Sequence, residues 1–374
     1  MRIGVIGGGQ LAWMMADAAK KLNLELVIQT PSSDDPAVLI AEETLFAPVN
    51  DAAATAKLSD RVDVITFENE FVDLAALSQI RSACFRPSLS ALKSLLDKYD
   101  QRCFLKANGL PTPKFWQPGE QPVSFPIVVK TRRLGYDGQG TWIIRDQVAW
   151  DLAMTELDAV PIVLEEFVPF DRELAVMAAR SITGEIVVYP IVETQQENQV
   201  CRRVIAPAEI SESVAQKIST IAHTLLHQLE VVGIYGIELF LTKDDRVLVN
   251  EIAPRTHNSG HYTIEACETS QFEQQLRAVS GLPLGSAVLT CPGAVMVNLL
   301  GFEQAESDYL EKRAAIAQLP NSFIHWYGKS SSRPGRKLGH VTVLLDSAVN
   351  LRKSALEVAD AIESIWYPSS KLKQ

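Results

Sequence analysis

In the N-terminal quarter of the chain, short apolar runs alternate with an amphipathic stretch. The apolar runs predict strands at residues 2–6, 24–29 and 62–67. A glycine turn at residues 7–9 and a helix at residues 11–21 separate the first two runs. Strand–helix–strand alternation of this kind favours a parallel sheet with helices on its faces. We therefore expect an α/β unit that ends near residue 90.

The pattern changes after a helix predicted at residues 92–108, which Gly109 would end. Beyond a proline-rich connector, strands follow one another closely, at residues 127–131, 141–145, 162–167, 173–180, 185–192, 234–241 and 247–252. An amphipathic helix at residues 213–229 interrupts them. Because short connections join antiparallel strands, this middle region is predicted to be α+β. From about residue 300 a smaller unit is expected, with a basic loop at residues 329–337 and a strand at residues 340–345.

The composition indicates a soluble globular protein and argues against several classes. Of 374 residues, 47% are hydrophobic, and the net charge of −10 makes nucleic acid and anionic membranes poor partners. No apolar run approaches the roughly 20 residues of a membrane span, and the first residues do not resemble a signal peptide. The five cysteines are scattered without a CxxC pair, which fits reduced thiols in the cytoplasm.

The glycine turn formally matches a dinucleotide fingerprint, Gly7-x-Gly9-x-x-Ala12, directly after a strand. That fingerprint also requires an acidic residue at the end of the second strand, where this chain has Gln29 and Thr30. A Rossmann dehydrogenase is therefore the weakest functional alternative. A glycine turn before a helix N-terminus still suits another anion or polar group, and a plain tight turn is the structural alternative.

Two segments have the chemistry of a phosphate site. Lys130 precedes a glycine-rich loop at residues 135–140, whose backbone can approach phosphate oxygens closely. The loop lacks the Walker pattern and leads into a strand, so we expect either a flap or an ordinary hairpin turn. The basic loop is a candidate anion site in an acidic chain, with a solvated loop as the alternative; its cations are Lys329, Arg333, Arg336 and Lys337.

The hairpin formed by the last two middle-region strands brings two carboxylates together. With a two-residue turn at Asp244 and Asp245, Glu238 lies directly opposite Glu251. Such a pair repels unless a cation lies between the side chains, and Mg²⁺ takes carboxylates together with substrate phosphates. A longer turn would break the pairing and leave two unliganded glutamates.

The segment from residue 246 to residue 261 carries the most varied chemistry of the chain. After an apolar strand it holds Asn250, Glu251, Arg255, His257, Asn258, Ser259 and His261. Loops on a rigid scaffold often carry binding residues, although a polar loop after an edge strand is the alternative. A weaker candidate is the strand end at residues 165–168 with Glu173, which suits a planar base and a ribose.

Together these motifs resemble the ATP-grasp superfamily and, within it, the biotin-independent 5-(carboxyamino)imidazole ribonucleotide synthases of purine biosynthesis. The most specific motifs are NEIAPRTHNSGH at residues 250–261 and GRKLGH at residues 335–340. The resemblance implies an N-terminal Rossmann-like parallel sheet, a two-lobed ATP-grasp centre with a flap near residues 130–145, and a small C-terminal β-rich domain. The implied domains, of α/β and α+β class, are residues 1–92, 93–300 and 301–374.

The resemblance also implies roles for individual residues. ATP would be held by Lys98, Lys130, Gly135, Tyr136, Asp137, Gly138, Gln139, Gly140, Glu165, Glu166, Phe167, Val168, Glu173, Asn250 and Glu251. The ribonucleotide and bicarbonate would be held by Gln10, Leu11, Glu68, Tyr136, Arg255, His257, Asn258, Ser259, Lys329 and Arg336. Catalysis would rest on Arg255, His257 and Glu68. Glu238 and Glu251 would bind Mg²⁺, for which Mn²⁺ could substitute.

The implied reaction is the ATP- and bicarbonate-dependent carboxylation of aminoimidazole ribonucleotide through carboxyphosphate, by a cytoplasmic homodimer. Either His257 or Glu68 would move the amine proton. The nearest rival is another ATP-grasp enzyme, such as the formate-dependent glycinamide ribonucleotide transformylase. A nucleotide sensor without catalysis is the rival from a different class. Ala12 and Trp13 stand where the family usually has glycine and arginine, and Lys98 stands where arginine is commoner.

Overall fold

The computed structural model describes residues 1–116, 120, 124–133, 135, 140–158, 160–197 and 199–368. Its N-terminal elements are β1 (Arg2–Ile6), α1 (Gln10–Trp13), α2 (Ala16–Lys21), β2 (Glu25–Thr30), β3 (Glu43–Phe46), α3 (Ala52–Ser59), β4 (Val64–Phe67), α4 (Leu74–Leu77) and α5 (Leu89–Lys93). The strands form a parallel sheet in the order β3-β2-β1-β4. The predicted α/β unit is confirmed, but its first helix is broken at Met14 and Met15 into α1 and α2.

A first lobe follows, built from α6 (Lys98–Ala107), β5 (Phe115–Trp116), β6 (Ile127–Thr131), β7 (Thr141–Ile144), α7 (Gln147–Leu157) and β8 (Ile162–Glu166). Its strands form an antiparallel sheet in the order β5-β8-β6-β7. The single helix predicted at residues 92–108 is wrong. Asp97 caps a new helix by accepting from the N–H groups of Tyr99 and Asp100, which starts α6 separately from α5.

The rest of the chain contains β9 (Phe170–Arg180), β10 (Ile186–Val188), β11 (Val192–Glu197), β12 (Val200–Ala206), α8 (Glu212–Leu229), β13 (Gly233–Thr242), β14 (Val247–Ala253), α9 (Thr263–Ala266), α10 (Gln271–Ser280), β15 (Gly293–Leu300), α11 (Leu310–Ile316), β16 (Ser322–Trp326), β17 (Lys337–Leu345) and α12 (Leu351–Trp366). The strands form a nine-stranded sheet in the order β14-β13-β9-β11-β12-β15-β17-β16, with β10 beside β9. The second lobe, which comprises β9–β14 and α8, and the C-terminal strands β15–β17 therefore share one sheet.

Helix α8 covers one face of this sheet because its apolar residues recur every three or four positions. Val214, Ile218, Ile221 and Leu225 are buried against β9, β13 and β14. The opposite face carries Glu173 and Glu238 beside a second apolar cluster around Met177 and Ile234. In the described part of the chain, no helix has the length and apolar character needed to cross a membrane.

Candidate active site

The glycine turn after β1 encloses a side chain of the protein itself. The carboxylate of Glu68, which follows β4, accepts hydrogen bonds from the backbone N–H groups of Gly9 and Leu11. A Cβ at Gly7 or Gly9 would lie 2.3 or 2.5 Å from its oxygens, so a larger residue at either position would displace the carboxylate. Burial raises the pKa of Glu68, against the opposing charge of Arg255. The turn thus holds a carboxylate, which argues against a dinucleotide phosphate there.

Glu238 on β13 is the direct partner of Glu251 on β14. The predicted two-residue turn is wrong, because Thr242 and Arg246 close a turn of three residues, 243–245. That turn alone would put Asn250 opposite Glu238. However, Leu239 pairs with Val249, and the register shifts at the next step. Asn250 is the extra residue of a β-bulge, and this bulge restores the Glu238–Glu251 pair.

The two paired carboxylates have different electrostatic surroundings. Burial, together with the charges of Glu251 and Glu173, raises the pKa of Glu238 to about 7. Burial also disfavours the charged form of Glu251, but Lys98 and Lys130 outweigh it and lower the pKa of that carboxyl. The Nζ atom of Lys98 lies 2.6 Å from Oε1 of Glu251. The pair therefore carries less than its full negative charge while no divalent cation lies between the two side chains.

This pair fits a hard divalent cation such as Mg²⁺, which prefers oxygen ligands and often uses one or two carboxylates plus phosphate oxygens. Within the described residues, no group of three His, Cys, Asp or Glu side chains forms a complete metal site. A cation held by Glu238 and Glu251 would therefore complete its coordination with oxygens from substrate or water.

Lys130 on β6 reaches across to the second lobe. Its Nζ atom lies 3.0 Å from Oε2 of Glu165 and donates to Oδ1 of Asn250 at 3.0 Å. Arg102, from α6, donates to both oxygens of Glu165, at 2.7 and 3.0 Å. Although burial opposes it, these two cations lower the pKa of Glu165 to about 2. A closed ring of Arg102, Glu165, Lys130 and Asn250 thus joins the two lobes.

The ring joins predicted nucleotide residues to one residue that was not predicted. The side chain of Glu165 is 2% exposed and both of its carboxylate oxygens are occupied. Its carboxylate holds Lys130, and its contact with the nucleotide stays a prediction. Arg102 was not predicted. The spacing of Arg102 from Lys98 could have indicated it, because residues four apart lie on one face of a helix and Lys98 was already a predicted ATP residue.

Among the other predicted nucleotide residues that the structure describes, several lie at the end of β8, directly after it, or on β9. Glu166 accepts from the N–H of Lys114 at 2.9 Å, Val168 is buried, and burial raises the pKa of Glu173 to about 7. A cleft of about 920 Å³ is bordered by Lys98, Gly135 and Glu251 among others. The ring of Phe167 lies under the guanidinium of Arg145, and Gly140 has φ +79°. Tyr136, Asp137, Gly138 and Gln139 lie outside the described residues.

His257 is held in place beside the carboxylate pair. Its Nδ1 atom shares a hydrogen bond of 2.9 Å with Oγ of Ser259, and its Nε2 atom lies 3.6 Å from Oε1 of Glu238. The side-chain amide of Gln271, on α10, accepts from the N–H of His257 and donates to its carbonyl, at 2.9 and 2.8 Å. Gln271, which was not predicted, therefore fixes the backbone that carries the imidazole.

Two predicted substrate residues have other partners. The amide of Asn258 is 8% exposed and exchanges two hydrogen bonds with that of Asn298, at 2.9 and 2.7 Å. Ser259 is 2% exposed and bonded to His257. Their side chains hold the loop that carries His257, and a direct contact of either residue with substrate stays a prediction.

Arg255 and Lys329 connect this loop region to the N-terminal sheet. The Nε atom of Arg255 lies 2.8 Å from Oε1 of Glu70, a residue that sequence reasoning missed although it stands two positions after Glu68. Lys329 donates to the side chain of Gln10 at 2.7 Å, which brings two predicted ribonucleotide residues together. Leu11 is buried. Arg336 donates to the carbonyl of Ser331 within the basic loop.

Trp13 packs edge-on against Tyr327 at 6.4 Å between ring centroids, and Lys329 lies over the same tyrosine ring. An aromatic contact therefore occupies the position where the family usually has arginine.

Comparison with known proteins accounts for this arrangement along the whole chain. Residues 1–93 match the ribonucleotide synthetase preATP-grasp domain, residues 104–272 the ATP-grasp domain, and residues 294–354 the phosphoribosylaminoimidazole carboxylase C-terminal domain. The chain is 52% identical to the N5-carboxyaminoimidazole ribonucleotide synthase of Synechococcus elongatus, over 97% of this chain and 95% of that protein. The chain belongs to the N5-carboxyaminoimidazole ribonucleotide synthase family.

Solved structures of the family have the same fold. The synthetase from Thermotoga maritima is 40% identical, with a TM-score of 0.86 over 97% of this chain and 98% of that one. The Aspergillus clavatus synthase, solved with ADP and 5-aminoimidazole ribonucleotide, is 31% identical, with a TM-score of 0.87 over 96% and 98% of the two chains. Both similarities extend over nearly the whole length of each chain, so they concern the complete fold rather than a single domain.

Proposed function

We propose that the chain converts 5-aminoimidazole ribonucleotide to N5-carboxyaminoimidazole ribonucleotide, using ATP and bicarbonate, through carboxyphosphate, in purine biosynthesis. The observation that carries this proposal is the position of Glu238, which is paired with Glu251 and lies 3.6 Å from His257. The nucleotide residues and the acceptor residues therefore meet at one carboxylate. A relative that was solved with ADP and the same ribonucleotide supports the assignment.

In this proposal, phosphate transfer is served mainly by positive charge. Bicarbonate oxygen attacks the γ-phosphorus of ATP, and ADP leaves as carboxyphosphate forms. Lys130 and Lys98 offset the negative charge on the phosphoryl oxygens. Glu238 and Glu251 would hold Mg²⁺, which supplies further charge compensation when bound. No protein nucleophile is required.

In the second step, inorganic phosphate leaves, and the carboxyl carbon of carboxyphosphate, or of CO₂ released from it, bonds to the exocyclic amine of the ribonucleotide, which loses a proton. We assign acceptance of the amine proton to His257, because Ser259 orients its ring toward the site. Glu68 is the poorer candidate for this role, since its carboxylate already accepts two backbone N–H groups. Arg255 would hold the carboxyl group, and Gln10 with Lys329 would hold the ribonucleotide phosphate end.

We further propose that the protein works as a homodimer in the cytoplasm. Sedimentation of the purified protein would test its oligomeric state.

The experiment that tests the proposed function is phosphate release from ATP with each pair of cosubstrates. Bicarbonate with aminoimidazole ribonucleotide should stimulate release at least tenfold, with labelled bicarbonate appearing in the product. Stimulation by formate with glycinamide ribonucleotide instead would favour the transformylase. Nucleotide binding without stimulated turnover would favour a sensor.

A further inference from the structure

The guanidinium group of Arg102 lies buried between the two lobes and donates four hydrogen bonds. Its side chain is 3% exposed. Two of its hydrogen bonds go to Glu165 on β8, at 2.7 and 3.0 Å. Two others go to the backbone carbonyls of Val249 and Asn250 on β14, at 2.9 and 2.7 Å. One side chain of α6 thus fixes an element of each lobe.

The two carbonyl contacts fall at the β-bulge. Val249 is the last residue in the register set by the turn, and Asn250 is the inserted one. A bulge disrupts the ladder locally, and buried carbonyls need partners, which Arg102 supplies. Without the bulge, Glu251 would pair with Ile237 and its side chain would point to the other face of the sheet. Arg102 therefore supports the geometry that brings Glu251 to Glu238.

The two hydrogen bonds from Arg102 to Glu165 also affect the position of Lys130. Glu165 lies between Arg102 and Lys130, and Lys130 also donates to the side chain of Asn250. The position of the Lys130 ammonium group therefore depends on Arg102, as the geometry of the bulge does. Lysine at position 102 could not maintain both sets of contacts, because only a planar guanidinium offers donors in a fixed fork.

We propose that Arg102 is a positioning residue for the metal–nucleotide site, which holds Glu251 toward the cation through the bulge and Lys130 toward the phosphates through Glu165. It does so without touching the nucleotide itself. The proposal rests on the roles proposed above for Lys130, Glu238 and Glu251. It does not depend on which acceptor the enzyme carboxylates.

The test is the affinity of Arg102→Lys for ADP, measured by calorimetry with Mg²⁺ and again with EDTA. We expect affinity to fall at least tenfold with Mg²⁺ and distinctly less with EDTA, where the carboxylate pair has no cation to bind. A purely structural role would weaken both equally. Equal losses in the two conditions, or no loss with Mg²⁺, overturn the proposal.

Arg352→Lys is the matched control. Arg352 makes the same two-point contact, at 2.8 and 2.8 Å, with Glu193, which is 2% exposed. Thr194 is paired with Glu173, so Glu193 lies on the opposite face of the sheet from that nucleotide residue. ADP affinity in this variant should stay within twofold of the parent.

A second pair of variants tests the proposal in the event that Arg102→Lys does not fold. Arg102→Met combined with Glu165→Met removes both buried charges, a replacement that proteins often tolerate; Arg352→Met with Glu193→Met is its control. Circular dichroism establishes that each is folded. We expect the Mg²⁺-selective loss of ADP affinity in the Arg102/Glu165 double variant and not in the Arg352/Glu193 double variant. Its absence from the Arg102/Glu165 double variant overturns the proposal. Because binding of ADP requires no turnover, this result is independent of the phosphate-release experiment on the unaltered protein.

Discussion

At the scale of single residues, the site is controlled by how each charged group is paired. Glu165 and Glu238 are both glutamates on strands that line the interlobe space, yet cations lower the pKa of the first to about 2, whereas burial raises that of the second to about 7. The first is a fixed anion that holds Lys130. The second can exchange a proton for a metal near neutral pH.

The raised pKa of Glu238 predicts how cation binding depends on pH. A proton and a divalent cation compete for the carboxylate, so the Mg²⁺ concentration that half-saturates ADP binding should fall as pH rises from 6 to 8. The variant Glu238→Gln should lack most of this dependence. Calorimetric titrations of the unaltered protein and of the variant at several pH values measure it. An unchanged pH profile in Glu238→Gln would contradict the assignment.

The same shift has a consequence for stability in the absence of metal. The folded pKa of Glu238 lies above the ordinary glutamate value of 4.5, so the folded protein binds this proton more tightly than the unfolded chain does. Its contribution to stability is therefore fully present below pH 4.5 and is lost as pH rises through about 7. Denaturation by urea should show less loss across this range in Glu238→Gln than in the unaltered protein. Equal losses in the two proteins would argue against the shift.

At the scale of elements, the glycine turn and the bulged hairpin differ in how much of their geometry a local sequence pattern could predict. The turn was predicted, and so was its capacity for an anion, because glycines before a helix are a local signal. Glu68 was predicted on other grounds, but nothing local shows that it fills the turn. In the hairpin, a three-residue turn and the bulge at Asn250 compensate each other, so the predicted partners were right and the predicted turn was wrong.

The contact between the glycine turn and Glu68 predicts an interaction energy. In Gly9→Ala the new methyl group would lie 2.5 Å from Oε1 of Glu68, and overpacking of this kind costs about 1–3 kcal/mol. Most of that cost should disappear when Glu68 is replaced by alanine as well. A double-mutant cycle on urea denaturation measures the coupling. A cost that is unchanged in the Glu68→Ala background would show that the turn is crowded by something else.

At the scale of the whole molecule, one helix connects the parts. On α10, Gln275 accepts from the N–H of Ile234 at 2.7 Å and donates to Oγ1 of Thr66 at 2.7 Å. These partners belong to the central sheet and to the N-terminal sheet. The proposed division at residue 300 likewise falls at the end of β15, which is paired with both β12 and β17. These connections favour unfolding as one cooperative unit.

Gln275→Leu should therefore destabilise the whole protein. It leaves two buried polar groups without a partner, at about 1–3 kcal/mol each. Gln216→Leu, at an exposed position on α8, should change stability little. Chemical denaturation followed by tryptophan fluorescence compares the two, and equal stabilities would remove Gln275 as a connecting residue.

Much of the fold was predictable where the chain has strong local periodicity, as in β1, β6, α8 and the β13–β14 hairpin. The strands β3, β11 and β16 were not predicted. Nor were β12 and β15, because they pair with each other across a long stretch of the chain. Distance along the chain also explains the site residues that were missed. Arg102, Glu70 and Gln271 act through contacts at separations of 63, 185 and 14 residues, so a local pattern could not identify their partners.

We propose that β14 and the loop after it divide the work. Asn250 and Glu251, on β14, would serve ATP cleavage, and His257, in the loop, would serve transfer of the carboxyl group. The ratio of phosphate released to labelled bicarbonate incorporated, in His257→Ala and in Glu251→Gln, tests this division. We expect a ratio well above one for His257→Ala, since ATP cleavage continues without capture, and low rates of both steps for Glu251→Gln. One phosphate per carboxylation in His257→Ala would contradict this division.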